Sequence, residues 1–170
     1  METAAVRQIP GGATVFLRGI VTALAAMAGL AIVVMILVTC VDVVGRWFGR
    51  PLTGTYDLVE LLGAIAIAGA LPYTTACRGH VAIEFFFQKL PRRARRVVDV
   101  LVHLAVTSMF VLLTWRFIQY GIDLKTSGQV TLTLRWPVFW MAWWMALCSG
   151  VTVLVILYHL AWPEKELMKP

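Results

Sequence analysis

With 170 residues, 60% of them hydrophobic and only 14% charged, the chain is too apolar for an ordinary water-soluble domain, and its mean hydropathy of +0.81 agrees. Fifteen Lys and Arg against nine Asp and Glu leave a net charge of +6. In a soluble domain that excess would suggest nucleic acid. Here the basic residues sit mostly in loops flanking apolar runs, where they set orientation in a lipid bilayer, so nucleic acid is excluded as a partner.

Four runs, 19–41, 61–77, 100–115 and 137–160, contain no Asp, Glu, Lys or Arg. A bilayer core of about 30 Å needs about 20 helical residues, and a chain this small has no interior able to hide four such helices from water. The expected fold is an all-α integral membrane protein with four transmembrane helices and an interfacial cytoplasmic segment between helices 2 and 3. The spans are expected at about 19–45, 57–77, 97–120 and 137–160, in a single membrane domain 18–162 with a cytoplasmic segment 1–17 and a tail 163–170. The first run exceeds the roughly 7–15 residues of a signal-peptide core, which predicts a retained helix.

Span one carries Ala25, Ala26 and Gly29, small residues that let helices approach closely in lipid, and ends near Asp42 and Arg46. Pro51 and Gly54 give the following stretch a hairpin composition. Glu60 is the acidic residue most deeply associated with a span. A carboxylate unpaired there costs several kcal/mol, on the order given for buried charge, so it is expected to pair with Arg46 or Arg50 across the hairpin, or else with a group on a partner. Asp57, one turn earlier, is expected to be solvated. Span two continues with Ala64/Ala68 and Ala66/Ala70 as further small-residue pairs.

Beyond span two come Arg78, His80 and Glu84, then an apolar stretch too short to span the membrane and ended by Pro91, which suits a surface-lying or partner-packed helix. Arg92, Arg93, Arg95 and Arg96 follow. Arg95, Asp99 and His103 recur every four residues and fall on one helix face. The stretch 121–136 reads as a polar outer loop with a turn at Ser127-Gly128. Trp136, Trp140, Trp143 and Trp144 gather where span four starts, as an interfacial aromatic belt does.

Ten basic residues fall on the side of the termini and the 78–96 loop, against five on the other side. The positive-inside bias therefore predicts both termini in the cytoplasm. Cys40, Cys77 and Cys148 have no metal or redox spacing and read as small apolar residues. No phosphate-cradling loop, catalytic triad or metal-ligand cluster is legible, so neither catalysis nor a cofactor is expected. The polar groups lie at span ends, leaving no relay across the membrane. Two rival readings stay open: a haem-bearing anchor subunit of an oxidoreductase, using His103 and His159, and a stand-alone small transporter.

The succession Arg50-Pro51-Leu52-Thr53-Gly54-Thr55-Tyr56-Asp57-Leu58-Val59-Glu60-Leu61, then Arg78-Gly79-His80-Val81-Ala82-Ile83-Glu84, then Leu90-Pro91 and the basic cluster, resembles the DctQ-type small membrane subunit of tripartite ATP-independent periplasmic (TRAP) transporters. The likeness covers about 18–160 and includes the four-span layout. It implies a non-catalytic subunit of the bacterial inner membrane that braces a large permease subunit. In that family the large subunit moves an organic acid with sodium, and a periplasmic substrate-binding protein delivers the cargo. Arg78, His80 and Glu84 are then expected to fix the cytoplasmic end of span two through hydrogen bonds, not through acid–base chemistry.

Overall fold

The computed structural model describes residues 12–77 and 92–161. Four helices account for nearly all of them: α1 (Gly12–Trp47), α2 (Thr55–Ala76), α3 (Arg92–Ser127) and α4 (Phe139–Ala161). Each contains a stretch long and apolar enough to cross a bilayer, at Thr14–Trp47, Thr55–Ala76, Leu101–Ser127 and Phe139–Leu160. Helices α1 and α3 have 36 residues each, which at 1.5 Å per residue is about 54 Å, well beyond the hydrocarbon core. Both therefore project past the membrane. The sole β feature among the described residues is an isolated antiparallel bridge between Val130 and Pro137.

The spatial order differs from the chain order. Helix α1 packs on α2, α2 on α4 and α4 on α3, while α1 only grazes α4. Helix α3 thus leans chiefly on α4, and of its spanning stretch Leu101–Ser127 only Gly121 and Leu124, near the α3–α4 connection, are buried within the chain. The core forms where α1, α2 and α4 meet. Val21, Ala76 and Val155 are fully buried together, with Leu17, Val151 and Tyr158 around them. Leu24, Ala68 and Cys148 make a second cluster with Trp144 and Met145 packed against it. Thr152, also fully buried, donates its hydroxyl to the Cys148 carbonyl at 2.9 Å, so this interior leaves that hydroxyl satisfied.

Small residues set the helix spacing, though not all of those expected. A Cβ on Gly69 would lie 3.0 Å from the Leu24 carbonyl oxygen and 3.3 Å from the Ala28 Cβ, so α1 and α2 cross nearly backbone to backbone. The face of α1 that does this is Val21, Leu24, Ala28 and Ala31, all buried. Ala26 and Gly29 point outward and are exposed. The spacing of Ala25 and Gly29 suits a crossing, but the larger buried residues of the Val21–Ala31 stripe set the rotation of the helix and turn those small residues aside. On the other side of the row, Gly121 of α3 lies flat against the Trp143 indole of α4, with the Ala142 Cβ beside it.

Candidate functional site

The features that organise this chain lie at the end where α1 stops, α2 starts and α3 turns into α4. Helix α1 closes on Gly49, whose φ of 72° is left-handed. Arg50 N–H donates to the Gly45 carbonyl at 2.8 Å and Gly49 N–H to that of Arg46 at 3.1 Å. This double bond pattern satisfies the last carbonyls of a helix, and glycine adopts the turn without steric cost. The chain is drawn in so tightly that a Cβ on Gly45 would meet the Arg50 carbonyl oxygen at 2.6 Å.

Asp42, 5% exposed, ties the loop back to α1. One carboxylate oxygen accepts from Leu52 N–H at 3.0 Å and the other from Arg46 Nε at 2.9 Å. This is the one salt bridge found among the described residues, and it takes Arg46, one of the two arginines expected to meet Glu60. Arg46 is four residues from Asp42 on the same helix, so the pair forms without closing any loop. Glu60 is exposed on α2 and has no ion-pair partner among the described residues. Arg50 is exposed in the loop and also unpaired there.

Asp57 departs most from its expected place. It is 1% exposed, not solvated. Its Oδ2 accepts from the backbone N–H groups of Thr133 at 2.8 Å and Leu134 at 2.9 Å, joining segments 76 and 77 residues apart. A carboxylate gathering two backbone donors is a strong acceptor arrangement, and its place in the first turn of α2 also suits the helix dipole. Gly54, which precedes α2 with φ 95° and ψ 4°, completes the contact from the other side. The Leu134 side chain lies over it, so that a Cβ there would be 2.9 Å from both Cγ and Cδ2 of that leucine. Gly54 and Asp57 together clasp the α3–α4 connection.

That connection is a tight hairpin, not an open polar loop, because α3 runs on to Ser127. Gly128 ends the helix with Gln129 N–H bonded to the Leu124 carbonyl at 3.3 Å. Val138 N–H then donates to the Gln129 carbonyl at 3.3 Å, Thr131 N–H to that of Trp136 at 2.8 Å, and Trp136 N–H to Thr131 Oγ1 at 3.1 Å. Arg135 takes a φ of 52°, a conformation that is uncommon for a residue with a Cβ. Leu132, at the tip, is 90% exposed.

Trp136, Trp140 and Trp143 remain exposed around this end, with Trp47, Phe48 and Tyr56 beside them in the sequence of the first hairpin. Lys125 holds its ammonium 5.5 Å from the Trp143 ring centre and 5.9 Å from that of Phe139, within cation–π range. Trp144 instead turns inward against the Leu24, Ala68 and Cys148 cluster. Its place one residue after Trp143, about 100° round the helix, takes it to the opposite flank.

Below the clasp lies a cleft of about 370 Å³. It is lined by Glu60 and Ala64 of α2, Phe117 and Tyr120 of α3, Met145 of α4, and Leu132 of the α3–α4 connection. Of the remaining expected residues, Asp99 belongs to the first part of α3, and His103, half-buried, follows one turn later with its carbonyl bonded to Thr107 Oγ1 at 2.7 Å. Arg78, His80 and Glu84, with the expected interfacial segment, lie outside the described residues. Sequence reasoning missed the role of Asp57. The available signal was Gly54 followed three residues later by an acid at a helix start.

Residues 35–163, from the middle of α1 to past the end of α4, match the family model for tripartite ATP-independent periplasmic transporters, DctQ component. The chain belongs to the DctQ family. A curated relative is the ectoine TRAP transporter small permease protein TeaB of Halomonas elongata, 22% identical over 135 residues that cover 79% of this chain and 70% of that protein. No solved structure is matched. DctQ proteins are transporter components and not enzymes. Family membership therefore decides against the oxidoreductase anchor and makes this chain the small permease component of a TRAP transporter, a multi-pass protein of the inner membrane.

Proposed function

We propose that this chain braces a large permease subunit during sodium-coupled uptake of an organic acid, with a periplasmic binding protein delivering the cargo. The observation that carries the reading is the arrangement of the helices. A row in which α3 touches substantially only α4, and buries little of its spanning stretch within the chain beyond Gly121 and Leu124, leaves broad apolar faces for another membrane protein. Helix association in lipid relies on such close-packed faces. The clasp ties the α1–α2 and α3–α4 hairpins into one unit at their shared end, as suits a fixed scaffold. Ectoine, named for the relative, is itself a carboxylic acid and falls within the proposed cargo class.

Both termini face the cytoplasm in this reading, on the ten-to-five distribution of basic residues. In a background with Cys40, Cys77 and Cys148 replaced, Ser127→Cys is labelled by an impermeant thiol reagent outside intact cells and Ala94→Cys is not. The reverse pattern refutes the orientation. For the function itself, the large permease is reconstituted in liposomes with its binding protein, with and without this chain. Uptake requires the chain and a sodium gradient. Uptake by this chain alone would instead support a self-sufficient transporter.

A further inference from the structure

We propose that the cleft between α2 and α3 is a socket for one basic side chain, Arg or Lys, of the large permease, with the Glu60 carboxylate as its counter-charge. The inference rests on the bracing role above and adds where the partner engages and by what chemistry. Two carboxylates line the cleft, Asp57 and Glu60, and no Lys or Arg does. Asp57 is already committed to the amides of Thr133 and Leu134, so Glu60 is the acceptor left open. Of its two expected intramolecular partners, Arg46 is held by Asp42 at 2.9 Å and Arg50, exposed in the loop, makes no ion pair with it. Arg116, on α3, lines a separate shallow groove with Asp123 and makes no ion pair with Glu60.

The rest of the cleft is mostly apolar: Ala64, Phe117, Met145 and Leu132 all line it. A carboxylate on a spanning helix beside such a surface calls for a partner of opposite charge. Size narrows the occupant. About 370 Å³ sits at the low end of ligand-sized pockets of roughly 300–1,000 Å³, and a whole helix about 10–12 Å across does not enter it. A long basic side chain does, its alkyl stem along Phe117 and Met145 and its charge on Glu60.

The test uses the tagged chain co-expressed with a large TRAP permease subunit from the same organism. Glu60→Gln and Glu60→Lys are expected to lower the affinity for the large subunit by about tenfold or more, since removing one partner of a desolvated pair leaves the other charge unmatched. Ala64→Phe, which fills the socket without touching its charge, is expected to act the same way. The unfolding midpoint of each isolated variant chain stays at the wild-type value. Wild-type assembly by both Glu60 variants overturns the socket while leaving the bracing role intact. Failure of the wild-type chain itself to retain the large permease overturns both. Loss of a tightly bound phospholipid from Glu60→Gln by native mass spectrometry, with the large subunit retained, assigns the cleft to lipid and refutes the inference. Arg116→Gln reproducing the Glu60→Gln defect, with no further loss in the double variant, shows an internal partner and refutes it too.

Discussion

Gly54→Ala strikes the clasp at its most constrained point. With φ at 95° and ψ at 4°, an L-residue pays about 1–2 kcal/mol for the left-handed backbone. The new methyl would lie 2.9 Å from Cγ and Cδ2 of Leu134, and pushing that side chain off its rotamer adds about 0.5–1.5 kcal/mol. The sum is about 1.5–3.5 kcal/mol, a roughly 10- to 300-fold fall in the folding equilibrium at about 1.4 kcal/mol per tenfold. Reversible unfolding of the purified chain in mixed micelles reads this as a lower midpoint. A double-mutant cycle with Leu134→Ala separates the two contributions, because the second substitution removes the collision and leaves the backbone strain. The coupling is then about 1 kcal/mol, with the residual loss belonging to φ. An unfolding midpoint for Gly54→Ala equal to wild type, or no coupling to Leu134, would refute the clasp as a source of stability.

Asp57→Ala leaves two backbone donors without their acceptor, whereas Asp57→Asn keeps a side-chain carbonyl in reach of them; the alanine variant unfolds at a clearly lower midpoint than the asparagine variant, and equal midpoints would contradict the shared Oδ2. Gly121→Leu drives the Trp143 indole off α3 and overpacks the α3–α4 contact, costing about 1–3 kcal/mol, with a shift in tryptophan emission as an independent sign; unchanged emission and stability would contradict that crossing. Asp42→Ala destabilises more than Arg46→Ala, because Asp42 also accepts from Leu52 N–H while Arg46 is 67% exposed. The opposite ranking in the same unfolding assay would mean that the ion pair, not the bond to the loop backbone, anchors the first hairpin.

The four spans were legible in the sequence because lipid imposes a one-dimensional rule. A helix that satisfies its own backbone needs only length and apolarity to cross, and the uncharged runs state both. Class, the hairpin at Pro51 and Gly54, and the family likeness follow from such local signals. Pairing does not. Glu60 and Asp57 are three residues apart and chemically alike, yet Asp57 is buried on Thr133 and Leu134 while Glu60 is left exposed. What separates them is a contact across 76 residues, created when the α3–α4 hairpin lands on Gly54. Arg46 was expected to reach Glu60 across the hairpin, but Asp42 takes it because four helical residues hold the two together without ordering a loop. The side-by-side order of α1, α2, α4 and α3 likewise belongs to packing alone. Each helix is apolar on most of its faces, so its hydrophobic pattern does not say which one meets a neighbour. Close approaches such as Gly69 on Leu24 and Gly121 on Trp143 make that choice.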